Sequence, residues 1–117
     1  MPIVLVVEDD PFINLNVAET IERAGLQAIT AFKVDEALAA LTGRDDIAVL
    51  ITDVHMRGER DGRCLAFEAQ RLHPSIGLIV ATGLSRSEVG ELPAGAVYLG
   101  KPFTEAEVQA AVRGAMA

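Results

Sequence analysis

Cysteine, aromatic residues and long apolar runs are all scarce in this sequence. The single cysteine, Cys64, excludes a disulfide within the chain, and the residues after Met1 lack the basic and apolar segments of a secretion leader. We therefore predict a cytoplasmic protein in which Cys64 is a small buried apolar residue. No apolar run approaches the roughly 20 residues that cross a bilayer, so no membrane span is predicted.

Positive charge is also scarce, and this limits the classes of partner. The chain has 10 Lys and Arg residues against 17 Asp and Glu, a formal net charge of −7. Such a surface repels phosphate backbones and anionic lipids, so we expect neither nucleic acid nor a membrane as partner. Half of the 117 residues are apolar and 23% are charged, which predicts a single globular domain over residues 1–117.

Five short segments have the composition of β-strands. Residues 3–7, 48–52 and 76–81 are nearly continuous runs of apolar residues, the pattern of strands that are covered on both faces. Residues 27–32 and 96–100 are interrupted by polar residues, which is typical of strands at the margins of a sheet. The first three are therefore predicted to be inner strands and the other two outer strands.

The segments between these strands have the apolar spacing of helices. Asp10 before Pro11 predicts a helix N-cap rather than a metal ligand, and Gly25 is expected to end the first helix. Pro93 limits the fourth helix to about two turns. Apolar stripes at helical spacing are formed by Ile13, Val17 and Ile21, by Val34, Ala37, Leu38 and Leu41, by Leu65, Ala69 and Leu72, and by Val108, Ala111, Val112 and Ala115; capping boxes are predicted at Ser85 with Glu88 and at Thr104 with Glu107.

Strict alternation of strands and helices predicts an α/β fold with a parallel sheet and right-handed crossovers. Placing strands 1, 3 and 4 inside gives the order 2-1-3-4-5, a flavodoxin-like doubly wound (βα)5 architecture. In this order the winding reverses between strands 1 and 3, which opens a crevice at their carboxyl ends. We expect the functional site there.

Polar residues follow four of the five predicted strands at that edge. Glu8 and Asp9 follow strand 1, Asp53 follows strand 3, Thr82 follows strand 4 and Lys101 follows strand 5. Two carboxylates about 4 Å apart repel by roughly 4 kcal/mol at an effective dielectric constant near 20, so this cluster needs counter-charge. Oxygen ligands favour Mg²⁺, and an aspartate beside a metal and a lysine can accept a phosphoryl group. Asp53, alone at the end of the central strand, is the best nucleophile candidate, and Thr82 could donate a hydrogen bond to a phosphoryl oxygen.

These residues, in this order, resemble the receiver domain of two-component response regulators over essentially the whole chain. The matching motifs are Val6-Val7-Glu8-Asp9, Asp53 with Met56 and Asp61-Gly62, Ala81-Thr82, and Lys101-Pro102-Phe103. The resemblance implies that Asp53 accepts phosphate from a histidine kinase or a histidine phosphotransfer protein, and that the signal passes to a downstream protein target or along a phosphorelay.

The resemblance also implies roles for the neighbouring residues. Asp9, Asp53 and the main-chain carbonyl of His55 would bind Mg²⁺, with Glu8 assisting through water. Lys101 would contact the phosphoryl group, and Pro102 would follow a cis peptide bond. Thr82 and Tyr98 would form the switch that reports phosphorylation. Tyr98 has a plainer interpretation as an outer-strand aromatic packed on the last helix.

The sequence departs from the family pattern in three places. Arg57 stands where proline is usual, with one apparent extra residue before Asp61; Gly83 stands where alanine is common; and the stretch before Lys101 is about one helical turn short. Residues 80–85 match four of six positions of a receiver subgroup named for a Phe-Ala-Thr-Gly-hydrophobic-Tyr (FATGUY) motif, which has a reduced fourth helix. A dimer built on helix 4, strand 5 and helix 5 is therefore not carried over to this chain.

Three other functions remain open. A haloacid-dehalogenase-like phosphatase would need a second aspartate two residues after the first, and in this sequence that position is occupied by His55. An FMN-binding flavodoxin would need a phosphate loop after strand 1, where Glu8, Asp9 and Asp10 repel phosphate. A binding module that is independent of phosphorylation is the third alternative. We expect a stand-alone switch that phosphorylates and dephosphorylates itself, rather than a turnover enzyme.

Overall fold

The computed structural model describes residues 2–55 and 61–116. Five parallel strands form one sheet in the order β2-β1-β3-β4-β5, as predicted. The strands are β1 (Ile3–Val7), β2 (Gln27–Ala31), β3 (Ile47–Thr52), β4 (Gly77–Thr82) and β5 (Val97–Gly100); the helices are α1 (Pro11–Arg23), α2 (Val34–Gly43), α3 (Gly62–Leu72), α4 (Arg86–Val89) and α5 (Glu105–Met116). The motif residue Met56 and the departure at Arg57 lie outside the described residues.

The predicted bounds of β1 are confirmed, those of β2, β3 and β5 differ by one residue at one end, and those of β4 differ by one residue at each end. The amide of Ile76 donates to the His73 carbonyl (2.9 Å) and that of Ala96 to the Pro93 carbonyl (3.1 Å), so both residues belong to turns. Thr82 pairs with Gly100 and therefore extends β4. Strand ends depend on such hydrogen bonds, which apolar patterning does not record.

Side chains alternate across the sheet and fill a core on each face. Leu5, Leu50 and Leu65 belong to the layer under α2 and α3. Val6, Ile51 and Val108 belong to the layer under α1 and α5. The inner strands are buried on both faces while β2 and β5 are only partly covered, which confirms the predicted division into inner and outer strands.

The predicted caps are present. Asp10 accepts hydrogen bonds from the amides of Phe12 (2.9 Å) and Ile13 (3.2 Å) at the start of α1. Gly25, with φ of 85°, follows the end of α1 in a conformation that favours glycine. Both capping boxes form, the one at Ser85 opening α4 and the one at Thr104 opening α5. Helix α4 has four residues, about one turn, which lies within the predicted limit of about two turns.

The prediction for Cys64 was wrong, because its side chain is exposed. Helix α3 buries Leu65, Ala66 and Ala69, and Cys64 lies on the opposite side of the first turn. Over residues 2–55 and 61–116, none of the helices has the length and apolar character needed to span a membrane.

Candidate functional site at the carboxyl edge of the sheet

An ion-paired cluster lies at the carboxyl ends of β1, β3 and β5. The Lys101 Nζ lies 2.7 Å from Glu8 Oε1 and 2.7 Å from Asp53 Oδ2. Glu8 is only 5% exposed and Asp53 only 9% exposed, whereas the Lys101 side chain retains 22% exposure. Three of the predicted site residues, separated by up to 93 positions in the chain, are thus in direct contact.

The charges in this cluster influence one another. Burial raises the pKa of Glu8, an effect that the hydrogen bond from Lys101 opposes and the nearby Asp53 charge reinforces. Burial alone would lower the pKa of Lys101, but hydrogen bonds to Asp53 and Glu8 outweigh it and the pKa is raised. One ammonium faces two carboxyl groups in this cluster, so a single positive charge is shared between two acids.

Backbone hydrogen bonds between neighbouring strand ends hold the cluster in place. The Asp53 amide donates to the Val7 carbonyl (3.3 Å), which continues the β1–β3 pairing beyond the strands. The Lys101 amide donates to the Thr82 carbonyl (2.8 Å). The Lys101–Pro102 peptide bond is cis, in agreement with the resemblance.

Asn14 is a buried residue at this edge that the sequence reasoning missed. Its Nδ2 donates to the carbonyls of Glu8 and Ala31, each at 3.0 Å, and so joins the ends of β1 and β2. The signal was present, because Asn14 precedes Val17 by three positions and Ala18 by four on the buried face of α1. A polar residue on an apolar stripe indicates a buried hydrogen-bonding role.

The main chain around Asp53 is fixed by the start of α3. A Cβ added to Gly62 would lie 1.6 Å from the Asp53 carbonyl oxygen, so any larger residue would displace this backbone. The Gly62 amide donates to the Val54 carbonyl (3.0 Å). The Asp53 Oδ1 accepts from the amide of His55 (3.1 Å), whose side chain is exposed. The requirement for glycine at position 62 follows from this tertiary contact and has no local signal.

Asp61 caps α3, which the sequence reasoning did not assign. Its Oδ1 accepts from the amides of Arg63 (2.9 Å) and Cys64 (3.0 Å), and its Oδ2 accepts from Arg63 Nη2 (3.2 Å). Burial would raise the pKa of Asp61, but the hydrogen bonds from Cys64 and Arg63 outweigh it and the pKa lies below its ordinary value. The Asp61 carboxylate is therefore engaged in hydrogen bonds to the first turn of α3.

The two predicted switch residues are joined through Leu84. Thr82 is fully buried, and its Oγ1 accepts from the Leu84 amide (3.1 Å). The Tyr98 hydroxyl donates to the Leu84 carbonyl (2.6 Å). The guanidinium carbon of Arg86 lies 5.3 Å from the centre of the Tyr98 ring, within the range of a cation–π contact.

The plainer prediction for Tyr98, packing on the last helix, was wrong. Tyr98 packs with Val54, Val80 and Val89 in a separate small cluster under α4. Its neighbour Leu99 packs with Val108 of α5 on the opposite face. Successive residues of a strand point to opposite faces, so the position of Leu99 under α5 directs Tyr98 toward α4.

Of the predicted metal ligands, Glu8 and Asp53 lie in the ion-paired cluster. Asp9 is half-buried and directly follows Glu8, and Asp53 with the backbone of His55 follows β3. No group of three or more His, Cys, Asp or Glu side chains arranged to hold a metal is found in the part of the chain that the structure describes. This does not conflict with a Mg²⁺ site, which uses one or two carboxylates together with water and other oxygens.

Comparison with known proteins places this arrangement in a family. The sequence model described as "Response regulator receiver domain" matches residues 4–113. The nitrogen assimilation regulatory protein NtrX of Azorhizobium caulinodans is 33% identical over 104 residues, which cover 86% of this chain and 23% of that protein. The chain thus spans about a quarter of that curated relative.

Two solved structures match nearly the whole chain. A response regulator receiver domain protein of Clostridium thermocellum is 28% identical with a TM-score of 0.89, and the match covers 99% of this chain and 94% of that one. The response regulator TrrA of Thermotoga maritima, solved in complex with Mg²⁺-BeF, is 26% identical with a TM-score of 0.88, covering 98% and 99%. The family model covers nearly the whole chain and the strand order is the one that the resemblance implies, so this chain belongs to the response regulator receiver domain family.

Proposed function

We propose that this protein is a Mg²⁺-dependent phosphoacceptor switch in which Asp53 accepts a phosphoryl group from a phosphohistidine of a histidine kinase or phosphotransfer protein. The observation that carries the proposal is the pair of 2.7 Å contacts from Lys101 Nζ to Glu8 and Asp53. These contacts place an ammonium beside a largely buried carboxylate, where it would neutralise charge on a transferring phosphoryl group.

The transfer is a displacement at phosphorus. One carboxylate oxygen of Asp53 forms the new P–O bond while the P–N bond of the phosphohistidine breaks, and the imidazole nitrogen keeps the electron pair and later takes a proton from water. Lys101 Nζ shifts from the Asp53 carboxylate toward a phosphoryl oxygen. Thr82, buried at the end of β4, supplies a hydroxyl for a second phosphoryl oxygen once it releases the Leu84 amide.

Asp9, Asp53 and the main-chain carbonyl of His55 would hold the Mg²⁺ ion, with Glu8 acting through water. When bound, the ion supplies positive charge to the transferring phosphoryl oxygens. Support comes from the excess of carboxylate over ammonium at this edge and from the relative TrrA, which was solved with Mg²⁺-BeF. The Glu8–Lys101 contact holds both side chains at the site before the ion binds.

The surface beside the site suits a protein as phosphodonor. Phe12 and Leu15 on α1 are 80% and 57% exposed, which is unusual for large apolar side chains that lie near one another on a helix. A groove of about 530 Å³ runs from Lys101 between α1 and α5. A small phosphate ester would use neither surface, and this favours a switch over a phosphatase.

Phosphorylation is read out by a downstream protein target or passed along a relay. The chain Thr82–Leu84–Tyr98 provides the output path, because the movement of Thr82 toward a phosphoryl group would release the Leu84 amide. The loop before α4 and the Tyr98 ring would then rearrange. The protein acts once per phosphorylation event rather than as a turnover enzyme.

The experiment is labelling with acetyl phosphate and Mg²⁺, followed by intact-protein mass spectrometry. Asp53→Asn should lose the phosphorylated species. The matched control is Asp35→Asn, which changes an exposed carboxylate on α2 and should be labelled like the wild type. Labelling of Asp53→Asn at the wild-type level, or a wild type that is labelled equally well in excess EDTA, would overturn the proposal.

A further inference from the structure

Helix α4 is connected to the site by a second route that does not pass through Thr82 or Tyr98. The first route holds the start of α4, because Leu84, two residues before the helix, contacts both of those side chains. The second route holds the end of the helix and originates in α3. It is formed by Arg63, a residue to which neither the sequence motifs nor the proposed function gives a role.

The α3 end of this route is fixed to the Asp53 backbone. Gly62 packs directly on the Asp53 carbonyl oxygen, and its amide donates to the Val54 carbonyl (3.0 Å). The adjacent Arg63 donates its own amide to Asp61 Oδ1 (2.9 Å) and its Nη2 to Asp61 Oδ2 (3.2 Å). The first hydrogen bond fixes the Arg63 main chain and the second orients its guanidinium, so a displacement of the 53–54 backbone would be transmitted through Gly62 to Arg63.

The α4 end of the route is the last residue of the helix. Arg63 Nη1 donates to the Val89 carbonyl (2.9 Å). A Cβ added to Gly90 would lie 2.9 Å from the same Nη1, so the guanidinium lies directly against the end of α4. The side chain of Val89 packs with Val54 in the small cluster under α4, which closes a ring from Asp53 through α3 and α4 back to Val54.

Helix α4 depends on such contacts. It contains a single turn, in which the amides of Glu88 and Val89 donate to the Ser85 carbonyl at 3.0 Å each. One turn has too few internal hydrogen bonds to be stable alone. The carbonyls at its end lack partners within the helix, and a guanidinium is well suited to bind one of them.

We propose that Arg63 is a positioning residue that couples the phosphorylation site to α4 by holding the helix end in its unphosphorylated position. This inference rests on the proposed function. Movement of the Asp53–Val54 backbone on phosphorylation would shift Gly62 and Arg63 together and release the Val89 carbonyl. Loss of the guanidinium would free α4 in advance and make the switched state easier to reach.

The test uses Arg63→Met, which retains an apolar stem but has no donor, and Arg63→Lys, which retains a donor. The matched control is Arg71→Met, on the exposed surface of the same helix, where Arg71 pairs with Glu68. For the wild type and each variant of the 117-residue chain, NMR measures amide exchange at Glu88 and Val89. NMR then measures the beryllofluoride concentration that half-saturates the Mg²⁺-loaded protein. Thermal unfolding verifies that each variant is folded.

We expect Arg63→Met to accelerate exchange at Glu88 and Val89 by about fivefold or more and to lower the half-saturating beryllofluoride concentration by about threefold. In Arg63→Lys, which retains a donor, both the exchange rate and the half-saturating concentration should stay close to the wild-type values. In Arg71→Met, neither quantity should change. Unchanged exchange in Arg63→Met would refute the link to α4. Faster exchange with an unchanged or higher half-saturating concentration would refute the coupling and leave a purely structural contact.

Failure of the proposed function has a different signature. If the wild type itself does not bind beryllofluoride with Mg²⁺, the phosphoacceptor proposal fails and the coupling claim fails with it. The exchange measurement made without beryllofluoride would still decide whether Arg63 holds α4.

Discussion

Helices α4 and α5 flank the same outer strand and begin with the same capping box, yet they are built very differently. Helix α5 has 12 residues and buries Val108 and Val112 in the large core layer that it shares with α1. Helix α4 has four residues and buries only Val89, in a small cluster. A capping box therefore starts a helix without determining its length or stability, which depend on the apolar surface that follows.

The two sides of β5 therefore differ in how firmly their helices are held. The α5 side is an anchored layer, with Leu99 directed into it. The α4 side is held by a few polar contacts at its ends, with Tyr98 directed into it. Segments with few buried apolar contacts open at low free energy, and moving elements are drawn from them. A switch located on the α4 side can rearrange without disturbing the core.

Truncation of one buried valine on each side gives the largest expected contrast. Val108→Ala should lower the free energy of unfolding by about 2–3 kcal/mol, because it leaves a cavity in a closed layer. Val89→Ala should cost about 1 kcal/mol, because the small cluster can collapse around it. Urea denaturation measures both. Equal losses, or a larger loss for Val89→Ala, would contradict the division into an anchored and a labile side.

Removal of the two capping boxes should have a smaller effect of a different kind on each side. Glu107→Ala removes the acceptor of the Thr104 amide in α5 and should lower global stability by about 0.5–1 kcal/mol. Glu88→Ala removes the corresponding bond to the Ser85 amide in α4 and should leave global stability nearly unchanged while amide exchange at Val89 rises. Glu22→Ala, at an exposed position on α1, is the control and should change neither quantity. A global loss in Glu88→Ala as large as in Glu107→Ala would argue against a labile α4.

The smallest expected effect concerns the ion pair that joins α1 to α5. Arg23 donates to Glu105 at 2.9 and 3.1 Å, and the hydrogen bond from Arg23 holds the pKa of Glu105 below its ordinary value. A lowered carboxyl pKa contributes stability above the unfolded-state value of about 4.5, and this contribution is lost as the pH falls through the folded pKa.

Glu105→Gln should therefore remove part of the acid dependence of the thermal midpoint. Between about pH 5 and pH 3, the midpoint of the variant should fall less steeply than that of the wild type. Glu91→Gln, another exposed glutamate, provides the comparison. If the thermal midpoints of Glu105→Gln and the wild type fall with pH at the same slope, the Arg23–Glu105 ion pair contributes no stability to the anchored side.

Much of the fold follows from sequence because its signals are local. The inner strands are recognisable from continuous apolar runs, and Asp10, Ser85 and Thr104 identify helix starts because each bonds within three residues. The strand order follows from the contrast between inner and outer strands. At the site, the placement of Glu8, Asp53 and Lys101 follows from the rule that parallel strands end at one edge.

What the sequence could not supply depends on contacts between remote segments. Glycine is required at position 62 because α3 starts against the Asp53 carbonyl. No local sequence pattern encodes this close approach. The partner of Arg63 lies 26 positions away. The direction of Tyr98 depends on which helix covers Leu99, so it requires the assembled layers. The exposure of Cys64, by contrast, could have been predicted, because the apolar stripe of Leu65, Ala69 and Leu72 leaves Cys64 off the buried face of α3.

The most direct test of the central claim is to locate the phosphoryl group chemically. The wild-type protein is treated with acetyl phosphate and Mg²⁺, the acyl phosphate is reduced with borohydride, and the peptides are sequenced by mass spectrometry. Our account predicts that reduction converts the residue at position 53, and no other carboxylate of the edge, to homoserine. Conversion at Asp9 or Glu8 with Asp53 intact, or no conversion at any acid, would contradict it.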